Sequence, residues 1–339
     1  MVRKLRIILG VCIAVFVAAA VFAVLFMRPI SDATLKELGV IEPDSRFVSV
    51  DEVPTRYIEE GAGGETIVFI HGFSSSLYTW RQCIGPIAAK HHVVALDLKG
   101  FGFSGKPPSE YTIDGYVDFL IHFMDATGVR TATLCGNSMG GNIAWRAALK
   151  YPERVDKLIL VDASGYEEKH PGIPLFLKLG RLPGVGELLS AFMTRGRVRS
   201  VLESAYYDPV HVTERTVSAY YYSMKTEGAM RAVLARLRRK GSDAAQWQGR
   251  IPEIKAPTLI IWGENDKWIE KENAIRFHKD IRGSMLVIIP ECGHVPQEEK
   301  PAELVSAVLE FMSGQTEKDI LTIEKSLPVE PMAPAGTTV

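Results

Sequence analysis

"CGNSMGG", residues 135–141, is the stretch on which the fold turns. It follows the short apolar run "TATL" (131–134) and precedes "NIAWRAALKYP" (142–152), where apolar residues recur at helical spacing. Gly136-Asn137-Ser138-Met139-Gly140 therefore sets a serine at a strand-to-helix turn, inside a G-x-S-x-G pattern. A residue at so sharp a turn is forced into a strained backbone conformation. Glycines two places before and after it remove the Cβ atoms that would clash. The hydroxyl is then held above the sheet edge, and the next helix aims its amino terminus at the same point, where it favours negative charge. An ordinary serine helix cap gives the same short pattern, so the surroundings must decide between the two.

Working outward, the surroundings alternate. "TIVFIHG" (66–72), "HHVVALDLKG" (91–100), "TATLCGNS" (131–138) and "KLILVDAS" (157–164) read as strands ending in loops. Between them, "YTWRQCIGPIAAK" (78–90), "IDGYVDFLIHFMDATG" (113–128) and "GNIAWRAALKYPERV" (141–155) read as helices. In the second of these Ile113, Tyr116, Val117, Leu120, Ile121 and Met124 form one stripe. Upstream, "RFVSVDEVPTRYIEEGAGG" (46–64) reads as two short strands joined by a turn. Strands alternating with helices predict a parallel sheet covered on both faces. From Gly165 to Arg250 the alternation stops and only helical patterns are visible, with Tyr206, Tyr207, Tyr220, Tyr221 and Tyr222 among them. It resumes at "APTLIIWGENDKW" (256–268) and "SMLVIIPECGH" (284–294), and closes on the helix "AELVSAVLEFM" (302–312).

A serine nucleophile needs a base, and the base needs an orienting acid. Asp266 lies in the loop after "TLIIWG", and His294 in the loop after "SMLVIIP". Ser138, Asp266 and His294 thus follow three strands at their carboxyl ends, which share one edge of a parallel sheet. Glu264 and Asp162 are competing acids. The loop "FIHGF" (69–73) leaves a neighbouring strand, so the backbone N–H groups of Phe73 and Met139 are the expected oxyanion donors, with His71 holding the loop.

The pieces "HGF", "DLKGFGFS", "GNSMGG", "GENDKW" and "GHVPQEEKP" together resemble the α/β-hydrolase superfamily over residues 46–313. The resemblance implies an eight-stranded, mostly parallel sheet, with the helical insertion as a cap over the site and no metal or organic cofactor. It also marks Asp162 as a second choice of acid, since some members place the acid there. Haloalkane dehalogenases and epoxide hydrolases look similar through "DLKGFGFSGKP" but carry aspartate where this chain has Ser138. "HGFSSSLYTW" and "CGHVPQEEKP" look like the membrane-anchored monoacylglycerol lipases. "GNSMGG" and "ECGH" equally resemble hydrolases that cleave carbon–carbon bonds in ring-fission products. Those carry a glycine- and serine-rich oxyanion loop and an aromatic residue after the histidine, where this chain has Phe73 and Val295. Non-haem haloperoxidases and perhydrolases use the same triad. The function implied is a serine hydrolase acting on a small lipophilic carboxylic ester such as a monoacylglycerol. The alternatives are carbon–carbon hydrolysis, or a catalytically silent binding module on a membrane anchor.

The 339 residues hold 39 basic and 40 acidic side chains, a balance that gives no electrostatic case for nucleic acid. Cys12, Cys83, Cys135 and Cys292 are too few and too scattered for a disulfide framework. Residues 7–27 run 21 positions without a charge, and a helix of that length crosses roughly 30 Å, the thickness of a bilayer core. A cleaved signal peptide has a shorter apolar run, so an uncleaved anchor is expected, contacting the lipid bilayer through residues 7–27. Arg3, Lys4 and Arg6 keep its amino-terminal flank cytoplasmic and the rest of the chain on the other side. The expected division is an anchor (1–27), a linker (28–45), a core (46–164 and 251–313), a cap (165–250) and a disordered tail (314–339).

Overall fold

The computed structural model describes residues 44–166, 175–191, 193–239 and 247–314, with Arg6, Gly10, Ala14 and Ile41. The expected span at 7–27, the linker and the tail lie almost wholly outside the described residues. Among the described residues no helix is long and apolar enough to cross a membrane.

Eight strands form one sheet: β1 (Arg46–Val50), β2 (Val53–Glu60), β3 (Thr66–Ile70), β4 (His92–Leu96), β5 (Ala132–Asn137), β6 (Val155–Val161), β7 (Thr258–Gly263) and β8 (Met285–Ile289). Their order across the sheet is β1-β2-β4-β3-β5-β6-β7-β8. β2 pairs antiparallel with both β1 and β4, and every other pairing is parallel. The eight-stranded, mostly parallel sheet that the resemblance implies is thus present.

The central strands are apolar throughout because both faces are covered. Along β3, Val68 and Ile70 face one core while Ile67 and Phe69 face the other. β7 divides in the same way, with Ile260 and Trp262 on the first face and Leu259 and Ile261 on the second. α1 (Ile84–Ala88) and the last helix (Pro301–Met312) cover the second face. α2 (Ile113–Ala126) and α3 (Met139–Lys150) cover the first. α2 starts where the Thr112 side chain accepts from the Gly115 N–H, and it buries the predicted stripe together with Phe119 and Phe123.

The segment 78–90 departs from its expected single helix. It forms a 3-10 turn at Leu77–Trp80 and then the short α1. Pro86 has no N–H for a helix interior and is tolerated only near a helix start, so the helix begins afresh just before it. Trp80 is fully buried against Phe69, with ring centroids 4.8 Å apart.

Between β6 and β7 the described residues hold no strand. They form α4 (Leu175–Gly180), α5 (Val185–Ala191), α6 (Arg195–Ala205), α7 (Glu214–Met224) and α8 (Ala229–Arg238). Thr194 and Thr213 cap α6 and α7. α6 and α7 share a small apolar centre of Val198, Leu202, Ala205, Tyr206, Val212 and Val217, closed from below by Val295. The chain then returns through β7, α9 (Glu272–Asp280), β8, α10 (Pro296–Glu299) and α11 (Pro301–Met312).

Candidate active site

Ser138 sits between β5 and α3 with φ 55° and ψ −114°, a conformation that only tight surroundings can hold. Those surroundings are explicit. The Ser138 N–H donates to the Val161 carbonyl at 3.0 Å, and its carbonyl accepts from the amides of Asn142 at 3.2 Å and Ser164 at 3.0 Å. Neither Gly136 nor Gly140 has a positive φ; both are required by close approach. A Cβ on Gly136 would run into the Gly140 carbonyl, and one on Gly140 into the carbonyl of Ile70 at the end of β3. A Cβ at Gly72 would come within 3.3 Å of the Ser138 Cβ, so the loop after β3 passes directly beside the serine.

That loop carries one of the two expected oxyanion donors, and the start of α3 carries the other. The Phe73 N–H has no hydrogen-bond partner among the described residues. The Met139 N–H opens α3, where first-turn amides have no carbonyl of their own helix to bind. His71 holds the loop, as expected: Nδ1–H donates to the Gly72 carbonyl at 2.7 Å, and Nε2 accepts from the Leu98 N–H at 3.0 Å. Burial, only partly opposed by the Asp97 charge, lowers its pKa, consistent with a neutral ring that uses one nitrogen each way. Asp97 in turn accepts from the amides of Leu77 and Phe103 and pairs with Arg56, which explains "DLKGFGFS" as a loop clamp.

His294 and Asp266 meet beside the elbow. His294 Nδ1 lies 2.7 Å from Asp266 Oδ2, both side chains being buried. Asp266 Oδ1 accepts from the amides of Trp268 at 2.7 Å and Ile269 at 3.0 Å, so the acid is fixed from both sides. The Trp268 ring covers the imidazole, with centroids 5.1 Å apart. The Asn137 side chain, one residue before the serine, donates to the His294 carbonyl at 3.1 Å and to that of Val161 at 3.2 Å. The Ser138 hydroxyl itself makes no hydrogen bond to another described residue in this conformation; such bonds often tighten only with substrate in place.

The competing acids separate cleanly. Glu264 is half-exposed and pairs with Lys271 at 3.4 Å, whereas the carboxylate on His294 is that of Asp266. Asp162 is fully buried, with Oδ1 accepting from the Gly263 N–H at 3.0 Å and Oδ2 without a hydrogen-bond partner. Burial first, then the charge of Asp266, raises its pKa well above the usual carboxylate range. Burial and the neighbouring carboxyl thus hold Asp162 toward its neutral form. Asp162, Asp266 and His294 also bring possible metal-ligand atoms within 4.8 Å of one another. Asp266 already spends both oxygens on His294 and two amides, which fits a proton relay better than a cation cage.

Sequence reasoning passed over the helix after His294. Glu299 is buried and accepts from three amides: Gly293 at 2.7 Å, Asp208 at 2.7 Å and Tyr207 at 3.1 Å. Glu298, also buried, accepts from Arg81 at 2.6 Å, Thr79 at 2.8 Å and Tyr220 at 2.6 Å. The His294 N–H donates to the Ala205 carbonyl at 2.7 Å. Two adjacent glutamates thus tie the histidine loop to the α6–α7 part of the cap. The run "QEEK" held the only signal, two acids beside a candidate base, and it reads as a solvated turn without tertiary information.

Comparison with known proteins gives a consistent picture. A family described as alpha/beta hydrolase fold matches residues 65–301. An uncharacterized hydrolase, YugF, of Bacillus subtilis is 30% identical over 278 residues, covering 81% of this chain and all of that protein. The 2-hydroxy-6-oxo-6-(2'-aminophenyl)hexa-2,4-dienoic acid hydrolase of Metapseudomonas resinovorans is 28% identical, with 80% of this chain and 92% of that one covered. A solved membrane phospholipase A superposes with a TM-score of 0.69 at 28% identity, covering 91% of this chain and 98% of its own.

Proposed function

This chain belongs to the α/β-hydrolase fold family, and we propose that it is a serine hydrolase that cleaves a lipophilic carboxylic ester through an acyl-enzyme. The buried His294–Asp266 pair, fixed beside the strained Ser138 elbow, carries this reading. With Nδ1–H held by Asp266, the free Nε2 of His294 takes the Ser138 proton as Oγ attacks the ester carbonyl. The oxyanion forms against the Phe73 and Met139 N–H groups. His294 then gives the proton to the leaving alcohol. Water, deprotonated by the same nitrogen, attacks the acyl carbon and releases the acid and Ser138.

The lipophilic substrate rests on three supports. The motifs around the oxyanion loop and His294 look like those of monoacylglycerol lipases. A phospholipase is among the similar structures. A cavity of about 210 Å³ in the cap is lined by Met193, Tyr221, Met224 and Met230 together with Lys225 and Arg231, and Ser138, Asp266 and His294 do not line it. Residues 7–27 would hold the enzyme at the bilayer. Carbon–carbon hydrolysis stays as a second reading because the Metapseudomonas resinovorans relative is a dienoic acid hydrolase.

The test is fatty-acid release from a monoacylglycerol series by the detergent-solubilised full chain, with Ser138→Ala beside it and fluorophosphonate labelling of both. Release that falls by roughly 10⁴-fold or more in the variant supports the ester reading. Labelling of Ser138 with no release, but with cleavage of a ring-fission dienoate, transfers the assignment to carbon–carbon hydrolysis. No labelling and no hydrolysis leaves a silent binding module.

A further inference from the structure

The α4–α5 hairpin of the cap is built inside out. Its inner side meets α8 through glycines: a Cβ on Gly180 would lie 3.0 Å from Leu237 Cδ2, and one on Gly186 would lie 2.9 Å from Leu234 Cδ2. Four of its large apolar side chains are instead exposed. Leu179 is 39% exposed, Leu182 51%, Val185 38% and Leu188 41%, half of the exposed large apolar residues among those described. Scattered singly such residues mean little, but four on one hairpin mark a surface that meets an apolar partner.

The charges on the hairpin name the partner. Its one acid, Glu187, is taken by Arg238 at 2.7 Å and by the Gly184 N–H at 2.8 Å. Lys178 and Arg181 are exposed, and neither has a carboxylate partner among the described residues. By contrast Arg238 at the end of α8 pairs with Glu187, and Arg239 just after it pairs with Glu110. Leucines flanked by two uncommitted cations suit the boundary between acyl chains and anionic headgroups. A second copy suits it less, because a two-fold contact over so small a patch would bring like charges together. α5 also supplies Ser190 to the rim of the methionine-lined cavity, so an amphiphile leaving a bilayer at this hairpin would arrive at the mouth of that cavity.

We propose that the α4–α5 hairpin docks on an anionic lipid surface, with Leu179, Leu182, Val185 and Leu188 among the acyl chains and Lys178 and Arg181 on headgroups. Docking here presents a bilayer-borne ester to the cap cavity; only this last consequence rests on the hydrolase reading.

The test uses the full chain in nanodiscs of phosphatidylcholine with and without phosphatidylglycerol, carrying Cys12→Ser. Cys83, Cys135 and Cys292 are buried, so a nitrobenzoxadiazole label goes to Leu182→Cys or, as a control elsewhere on the cap, to Val210→Cys, where the native residue is 72% exposed. Doxyl-labelled lipid should quench position 182 at least about twofold more than position 210, and more strongly with phosphatidylglycerol. Replacing Lys178 and Arg181 by Gln should remove the anionic gain, at about fivefold per cation. Equal quenching at both positions, or energy transfer between labels on two copies without lipid quenching, would overturn the docking. p-Nitrophenyl acetate turnover tests the hydrolase reading separately. Leu182→Asp should leave that soluble activity intact while lowering turnover of a bilayer-dispersed ester. Lipid quenching in a chain that fails on both esters would sink the hydrolase reading and spare the docking.

Discussion

At the residue scale, the two acids near His294 have opposite jobs. Asp266 touches the imidazole and Asp162 does not. Asp266→Asn should therefore lower kcat by about 10⁴-fold, whereas Asp162→Asn should cost less than about tenfold. Steady-state kinetics on one ester separates them, and the reverse ranking would make Asp162 the triad acid. Asp162 also leaves a mark on stability. Its pKa is raised in the fold by burial and by Asp266, so above about pH 4, the usual value for an unfolded carboxyl, the native state keeps a proton that the unfolded state has lost. Stability contributed by that proton is present below pH 4 and drains away as pH rises toward the folded value. Asp162→Asn keeps the acceptor for Gly263 without the proton. Its Tm should gain on the parent as pH rises above about 4, and parallel Tm curves would mean that Asp162 is ionised in the fold. His71 acts in the other direction: with its pKa lowered by burial, it contributes stability above about pH 6.5 that is lost on acidification.

At the element scale, two short pieces set the geometry. The elbow depends on a helix and two strand ends packed closer than a Cβ allows. Gly140→Ala should lower stability by about 1–3 kcal/mol in urea unfolding, because the obstacle is the Ile70 backbone and not a side chain that can turn away. α10 is the second piece. Removing the Glu299 carboxylate strands the amides of Gly293, Tyr207 and Asp208 in a buried place, at about 1–3 kcal/mol for each one left unpaired. Glu299→Ala should lower Tm and also slow fluorophosphonate labelling of Ser138, since Gly293 precedes His294, the proposed base. Glu299→Gln, which still accepts, should restore part of both. A lower Tm with unchanged labelling would leave Glu299 a structural role alone.

At the scale of the whole molecule, the cap divides in two. α6 and α7 are bound to the core through Glu298, Glu299 and the His294–Ala205 hydrogen bond. α4 and α5 instead rest on α8 through glycines and expose Leu179, Val185 and Leu188. Amide exchange should follow that division: slow in α6 and α7 as in the central strands, fast in α4 and α5 without lipid. Equal protection across the five cap helices would show that the cap opens as one unit.

Much of this was legible along the chain. Strand-helix alternation, a serine between glycines, and an aspartate and a histidine after later strands are local patterns. Each follows from steric or periodic rules acting over a few residues, and a parallel sheet gathers its strand ends on one edge, so the sequence by itself determined the sheet, the elbow and the order of the candidate triad. The tertiary structure alone decided between Asp266, Asp162 and Glu264, because proximity to His294 depends on how three loops turn after their strands. It also decided that Glu298 and Glu299 are buried clamps, and that Leu179 in α4 and Leu188 in α5 are exposed. Burial and hydrogen bonding arise from segments some ninety residues apart, such as the Asp208 N–H and the Glu299 carboxylate. No pattern local to either segment encodes them.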